Sequence, residues 1–166
     1  MVAPHAAPAA PAVAEVALAD RAATRRLGAR LAKVVRTGDV IALAGALGTG
    51  KTTLARDLIE SLAGGTCEVP SPTFTLVQTY ELETVTVWHF DLYRIERPEE
   101  VIELGLDDAL AEGVTLIEWP DRLGPLLPDE RLDVVLVQGA APDARIAHLE
   151  AHGAWRGRLA GIADDG

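Results

Sequence analysis

The sequence predicts a three-layer α/β fold of the P-loop nucleotide triphosphatase type, with a mixed central sheet that includes an antiparallel hairpin. Residues 45–52, Gly-Ala-Leu-Gly-Thr-Gly-Lys-Thr, fit the phosphate-binding pattern G-x-x-x-x-G-K-[ST]. A short apolar run at 40–44, typical of a buried strand, precedes them, and a helical apolar repeat at 52–62 follows. Two β-rich runs, 75–81 and 85–91, come next with a three-residue turn between them, so the sheet cannot be purely parallel.

The other elements can be assigned in chain order. From Asp20, a possible N-cap, apolar residues recur at three- and four-residue spacing up to Val35, which predicts a helix ending at 37–39. Pro98 and the acids after it indicate a helix start, and a second short helix is expected at 106–111. Strands are expected at 114–118, 132–137 and 144–151, with a short C-terminal helix around Trp155.

Composition divides the chain into a tail and one domain. Residues 1–14 are mostly alanine and proline, with too little large apolar surface to offset the entropy of ordering, so we expect a disordered tail. Residues 15–166 have the length of a single P-loop ATPase domain.

The net charge and the single cysteine limit the possible partners and the compartment of the protein. The formal net charge is −10, which argues against a broad direct nucleic-acid surface, because such a surface needs clustered lysines and arginines. A lone cysteine, Cys67, cannot form an internal disulfide, which fits a reducing compartment. No run approaches the roughly 20 apolar residues of a membrane span. We therefore expect a cytoplasmic protein that does not contact membranes.

Each residue type in the loop at 45–52 suits phosphate binding. Glycines allow tight turns that bring backbone N–H groups against phosphate oxygens, and the following helix directs the positive end of its dipole at the same anion. Lys51 is expected to reach the β- and γ-phosphates, and the Thr52 hydroxyl is expected to ligate Mg²⁺.

Two carboxylates are candidates for the metal and the attacking water. Glu118 ends the apolar run 114–117 and is expected to ligate Mg²⁺; Asp91 ends the second hairpin strand and is expected to act on water or couple a switch. Which of the two contacts the metal stays open, and Asp91 could instead cap a turn. His89 is expected to be a hydrogen-bonded structural residue. Trp119 either fills the core edge or seals the nucleotide pocket.

Two prolines, at 70 and 72, stiffen the loop before the hairpin. The loop is either a plain connector or a sensor in which Thr73 approaches the γ-phosphate or its Mg²⁺.

Five motifs in this order resemble the TsaE family, the small bacterial ATPases of tRNA threonylcarbamoyladenosine synthesis. The resemblance covers roughly residues 18–150. The motifs are Thr-x-x-Leu-Gly-x-x-Leu-Ala at 24–32, Gly-Ala-Leu-Gly-Thr-Gly-Lys-Thr-Thr at 45–53, Pro-Ser-Pro-Thr-Phe at 70–74, His-Phe-Asp-Leu-Tyr-Arg at 89–94 and Ile-Glu-Trp-Pro at 117–120.

The resemblance implies an Mg²⁺-dependent ATP hydrolase that is weak alone and stimulated by a partner, the transferase complex that places threonylcarbamoyl on adenosine 37 of tRNA. ATP turnover would reset that complex. The resemblance implies catalytic roles for Asp91, Glu118 and Thr73, and places the metal on Thr52 and Glu118. The implied nucleotide-binding residues are Leu47, Gly48, Thr49, Gly50, Lys51, Thr52, Thr53, Arg21 and Arg145.

Two positions depart from the family pattern. Ala46 stands where an acid is usual in the loop, and Arg21 is basic where an acidic or polar residue is common, which puts its contact in question.

Three other functions are compatible with a phosphate-binding loop and are distinguished by other features of the chain. A GTPase is excluded, because the chain contains no asparagine for an N-K-x-D guanine-binding motif. A P-loop small-molecule kinase is the alternative; it would need an arginine-rich lid, whereas Arg94, Arg97 and Arg122 are scattered. A nucleotide-binding scaffold without turnover is the third, and it would produce no ADP.

Overall fold

Seven strands and five helices are present in the computed structural model, which describes residues 11–65 and 75–164. The strands are β1 Ala12–Leu18, β2 Val40–Ala44, β3 Val77–Glu81, β4 Thr86–Asp91, β5 Val114–Glu118, β6 Leu132–Gln138 and β7 Arg145–Ala151. The helices are α1 Arg21–Val34, α2 Lys51–Leu62, α3 Glu99–Glu103, α4 Leu106–Glu112 and α5 Leu159–Ala163. Two 3₁₀ segments, Pro120–Leu126 and Gly153–Arg158, complete these parts of the chain.

All seven strands join one sheet in the order β1-β7-β6-β2-β5-β4-β3. β2 pairs in parallel with both β5 and β6, and β4 pairs in parallel with β5. β3 lies antiparallel to β4, and β7 lies antiparallel to both β6 and β1. The predicted mixed sheet and its hairpin are therefore confirmed, and β2 lies at the centre of the sheet.

Helices cover both faces of the sheet and make three layers. Leu27 and Leu31 of α1 and Leu58 of α2 are buried with α5 against one face of the strands. On the other face, Val101 of α3 and Leu106 of α4 pack with Phe90 and Ile117. Each such side chain contributes about 1.5–3 kcal/mol by leaving water, so the two cores hold the strand ends beneath the site in place.

Asp20 caps α1 as predicted, because its side-chain oxygen accepts the N–H of Ala23 at 2.9 Å. The C-terminal helix begins later than predicted. Gly153–Arg158 is a 3₁₀ turn that buries Trp155, and the α-helical part follows from Leu159.

The prediction of a disordered tail over residues 1–14 is wrong at its end, because Ala12–Leu18 forms the edge strand β1. Ala12 lies opposite Ala151 and Leu18 opposite Arg145, so β7 pairs with the whole strand. Inward residues are partly or fully buried and alternate with exposed ones such as Val13. Small alanines carry little β signal by themselves, and the strand is stabilised by a partner more than 120 residues away in sequence. Residues 1–10 lie outside the described part of the chain.

No helix in residues 11–65 and 75–164 combines the length and the apolar character needed to cross a bilayer.

Candidate functional site

The loop between β2 and α2 has the backbone that its glycines predict. Gly45, Gly48 and Gly50 all have positive φ, at 139°, 80° and 100°. A Cβ on Gly45 would overlap the main-chain oxygen of Leu136 in β6, so only glycine allows this close approach. Thr49 closes the turn by donating its hydroxyl to the carbonyl of Ala46 at 2.8 Å. Gly50 is the N-cap of α2 and has no side chain that could accept hydrogen bonds from the first backbone N–H groups of the helix. These N–H groups can therefore donate to a bound anion.

The Lys51 ammonium group lies inside this loop, and the residue as a whole is 5% exposed. Its Nζ donates to the carbonyls of Gly45 at 2.7 Å and Ala46 at 3.0 Å, and lies 4.4 Å from the centroid of the Trp119 ring. Burial lowers the pKa of Lys51, while the nearby Glu118 carboxylate partly opposes that shift. A desolvated cation of this kind attracts an incoming polyphosphate strongly, because little water has to be displaced.

Glu118 comes from the strand beside the loop and meets Thr52 at the start of α2. β5 pairs with β2 so that Glu118 lies opposite Leu43, one residue before the end of β2. The Thr52 hydroxyl donates to Glu118 Oε1 at 2.7 Å. The second oxygen, Oε2, lies 2.7 Å from Nε2 of His89. Each oxygen of the carboxylate therefore has a hydrogen-bond partner, as a buried charged group requires, since Glu118 is only 2% exposed.

Asp91 ends the next strand along and lies directly opposite Glu118 in the register of β4 and β5. It is 6% exposed, and its Oδ1 accepts the backbone N–H of Tyr93 at 3.1 Å. This contact is the turn-capping interaction considered from sequence. It leaves Asp91 on the wall of the same cavity as Glu118.

An aromatic pair forms another wall of that cavity. The rings of Tyr93 and Trp119 lie 5.0 Å apart at 49° to each other. Trp119 has a left-handed backbone, with φ 59° and ψ 55°, which is uncommon for a bulky residue and is found most often at functional sites. This backbone turns the indole toward Lys51 instead of continuing the strand.

One cavity of about 270 Å³ brings most of the predicted residues together. Its lining consists of Leu47, Gly48, Gly50, Lys51, Thr52, Thr53, Asp91, Tyr93, Glu118 and Trp119. Leu47, at the tip of the loop, is 68% exposed. Thr73 lies outside the described residues. Tyr93 was not singled out from sequence; its place two residues after Asp91 was the only signal available.

Arg21 and Arg145 lie on the other side of the loop, beside a smaller cavity of about 170 Å³ that Thr24, Thr49 and Thr53 also line. Arg21 makes two hydrogen bonds to the carboxylate of Asp57 in α2, at 2.6 Å and 2.7 Å, which raise the pKa of the Arg21 guanidinium. Arg145 donates to the carbonyls of Thr49 at 3.1 Å and Gly48 at 3.3 Å. Arg145 thus supports the backbone of the loop from outside.

The donor set of the larger cavity fits a magnesium ion. Thr52, Glu118 and Asp91 offer a hydroxyl and two carboxylates, which are the hard oxygen ligands that Mg²⁺ prefers. No sulfur or imidazole ligand lines this cavity among the described residues, and the imidazole of His89 lies behind Glu118.

Comparisons with known proteins point to one family. A family model described as "Threonylcarbamoyl adenosine biosynthesis protein TsaE" matches residues 18–146. The relatives named tRNA threonylcarbamoyladenosine biosynthesis protein TsaE include those of Rickettsia felis, Bacillus subtilis and Nostoc sp.. The Rickettsia felis protein is 40% identical over 113 residues, which is 68% of this chain and just under two thirds, 66%, of that protein.

The other two matches are longer. The Bacillus subtilis relative is 39% identical over 123 residues, covering 74% of this chain and 75% of the relative. The Nostoc sp. relative is 38% identical over 130 residues, covering 75% and 78%. Among solved structures, the crystal structure of Bacillus subtilis YdiB superposes with a TM-score of 0.75 at 30% identity, covering 90% of this chain and 93% of that one. This agreement confirms the predicted P-loop type of fold.

Proposed function

The chain belongs to the TsaE family, and on this premise we propose that it is an Mg²⁺-dependent ATPase of tRNA threonylcarbamoyladenosine biosynthesis. Its partner in the proposal is the threonylcarbamoyl transferase complex, which modifies adenosine 37, and both act in the cytoplasm. ATP turnover resets the complex between modification cycles and takes no part in the transfer chemistry.

The observation that carries the ATPase proposal is the contact between Thr52 and Glu118. It joins the first turn of α2 to the end of β5 at 2.7 Å, in a cavity that also contains the Lys51 ammonium group. Triphosphatases of this class need a hydroxyl at the helix start and an acid at the end of an adjacent parallel strand, because both serve the same cation. Bound Mg²⁺ would neutralise charge on the β- and γ-phosphate oxygens.

Groups of the protein itself would bind the phosphates and contact the attacking water. Backbone amides of residues 47–53 and Lys51 would bind the phosphates and stabilise charge in the transition state. Asp91, on the cavity wall beside Glu118, would accept a hydrogen bond from the attacking water. The oxygen of that water would bond to the γ-phosphorus while the bond to the β–γ bridging oxygen breaks, and the water would lose a proton to Asp91 and then to solvent, so that ADP and phosphate are released. Thr73 would sense the γ-phosphate from its loop.

The nucleoside would lie toward the smaller cavity. Arg145 fixes two loop carbonyls there, and Arg21 and Thr24 of α1 line the same space. In this proposal, these residues contact the ribose or base, whereas the phosphates occupy the larger cavity.

The charge of the chain fits a protein that acts through a partner. With a net charge of −10 it has no excess of basic groups for binding tRNA by itself, so the transferase complex would supply the nucleic-acid contacts. The proposal also includes weak hydrolysis by the isolated chain and faster hydrolysis in the complex, as the resemblance to the family implies.

The test measures ADP release with and without the purified transferase complex. We expect stimulation by the complex and loss of Mg²⁺-dependent turnover in Glu118→Gln, with nucleotide binding retained. Glu83→Gln, an exposed glutamate in the turn between β3 and β4, is the matched control and should behave as wild type. Full activity of Glu118→Gln would refute the role of Glu118, and a failure of the complex to bind or stimulate would refute the partner.

The kinase alternative predicts a different product. Among the described residues, no arginine lines the larger cavity, so the structure offers no lid of the kind a kinase needs there. Recovery of the γ-phosphate as inorganic phosphate supports hydrolysis, and its recovery on a small acceptor would favour the kinase.

A further inference from the structure

His89 is a buried polar residue behind the site, and the proposed function leaves it without a role. Its side chain is 0% exposed, in the middle of the central layer. In the register of β4 and β5, His89 lies opposite Leu116 while Asp91 lies opposite Glu118. His89 and Asp91 share one face of β4, because they are two residues apart, and Glu118 is the diagonal neighbour of His89.

The contact between His89 and Glu118 has a defined direction. A carboxylate that already accepts from Thr52 can only accept again, so imidazole Nε2 carries the hydrogen and donates it to Oε2 at 2.7 Å. The other ring nitrogen, Nδ1, is buried and has no hydrogen-bond partner among the described residues. Within the described part of the chain, the only polar contact of the ring is therefore the one with Glu118.

A purely structural role does not account for this arrangement well. An apolar residue at position 89 would fill the same buried space without a buried ring nitrogen that has no hydrogen-bond partner, which destabilises the folded state. The imidazole ring instead donates a hydrogen bond to Oε2 of Glu118. A glutamate side chain has three torsions, and all three have to be fixed if Oε1 is to keep its hydrogen bond with Thr52.

We propose that His89 is a positioning residue: it holds Glu118 Oε2 so that Oε1 faces Thr52 and the cation site. This inference rests on the proposed role of Glu118 as a metal ligand. Hydrogen bonds to the far side of a metal-ligating group fix its orientation, and their loss weakens metal affinity about 10- to 100-fold.

The test uses side chains of different reach at position 89. The amide nitrogen of His89→Gln can reach the place of Nε2, whereas that of His89→Asn reaches only the place of Nδ1 and His89→Leu has no donor. Thr115→Val is the matched control, since Thr115 of β5 is also 0% exposed and no described residue accepts from or donates to its hydroxyl.

Two readouts separate positioning from structure. The first is Mn²⁺ affinity by electron paramagnetic resonance in the presence of a non-hydrolysable ATP analogue, and the second is affinity for that analogue in EDTA. We expect His89→Asn and His89→Leu to weaken Mn²⁺ binding about tenfold. His89→Gln should restore most of it, and Thr115→Val should not change it. Affinity for the analogue in EDTA should stay within about twofold, since Lys51 and the loop amides are intact.

Equal Mn²⁺ affinity in the Asn, Gln and Leu variants would overturn the proposal. If His89→Asn and His89→Leu impair folding, the folded His89→Gln variant decides: Mn²⁺ affinity close to that of wild type supports the proposal, and a tenfold loss would overturn it. Failure of the proposed function would look different, because then wild type itself would show no nucleotide-dependent Mn²⁺ site.

Discussion

The ion pair between Arg21 and Asp57 offers a quantitative test of how α1 is held against α2 beside the phosphate loop. The Asp57 side chain is 1% exposed and that of Arg21 is 51% exposed. Two hydrogen bonds at 2.6 Å and 2.7 Å join the two groups. Replacing Arg21 with methionine keeps the aliphatic stem and leaves a buried carboxylate without its cation.

The expected loss follows from the burial of the two partners. Removing one partner of a fully buried pair costs about 3–5 kcal/mol, and exposed pairs contribute about 0–1 kcal/mol. Since one partner is buried and the other half exposed, we expect Arg21→Met to lower the free energy of unfolding by about 2 kcal/mol. For a chain of this size that corresponds to a fall in Tm of roughly 4–8 °C.

The assay is a double-mutant cycle by urea denaturation and thermal melting, with Arg21→Met, Asp57→Leu and the double variant. The double variant should be more stable than Arg21→Met alone, because it removes the unpaired buried charge. A Tm of Arg21→Met within 1 °C of wild type, or strictly additive losses, would refute the reasoning. ATP affinity separates the two roles of Arg21: a direct nucleotide contact is lost in the single and double variants alike, while an indirect effect recovers in the double variant.

The remaining predictions concern the contacts around the loop. Gly28→Ala would place a Cβ 2.7 Å from Asp57 Cβ and should lower the free energy of unfolding by about 1–3 kcal/mol, outweighing the gain in helix propensity. In the control Gly161→Ala, in α5, the new Cβ meets open space, so Tm should rise slightly. An equal rise in Gly28→Ala and Gly161→Ala would contradict the close contact between α1 and α2 at Gly28. Arg145→Met removes the hydrogen bonds to two loop carbonyls and should weaken ATP binding about tenfold. Calorimetry measures this affinity, with Arg156→Met, an exposed arginine, as the control. Equal affinities of the two variants would show that Arg145 does not stabilise the loop for binding.

Elements defined by local sequence could be predicted, and contacts that depend on strand register could not. The strand, loop and helix at 40–62 follow from one motif and two apolar repeats. The contact between His89 and Glu118 spans 29 residues and needs the pairing of β4 with β5, which no local pattern encodes. The same holds for Arg21, expected at the nucleotide, whose guanidinium contacts Asp57 across 36 residues.

The predicted disordered tail was wrong at residues 12–14, where β1 begins, for a related physical reason. Val13 favours a strand but the alanines on either side of it do not, so the pairing with β7 determines the conformation of this stretch. For Trp119, the local sequence predicts the strand end correctly but not the backbone conformation. Its sequence neighbours indicate a strand end, but its left-handed backbone, and therefore its position over Lys51, emerges only in the folded chain.

In the proposed function, the loop amides and the Lys51 ammonium group bind the phosphates of ATP. Isothermal titration calorimetry of ATP with Mg²⁺ tests it most directly, on wild type and on Lys51→Met, whose fold is checked by circular dichroism. We expect one site per chain in wild type and a loss of at least about thirtyfold in affinity in Lys51→Met, the equivalent of about 2 kcal/mol for charge-assisted hydrogen bonds. Equal affinities for the two folded proteins would contradict the claim.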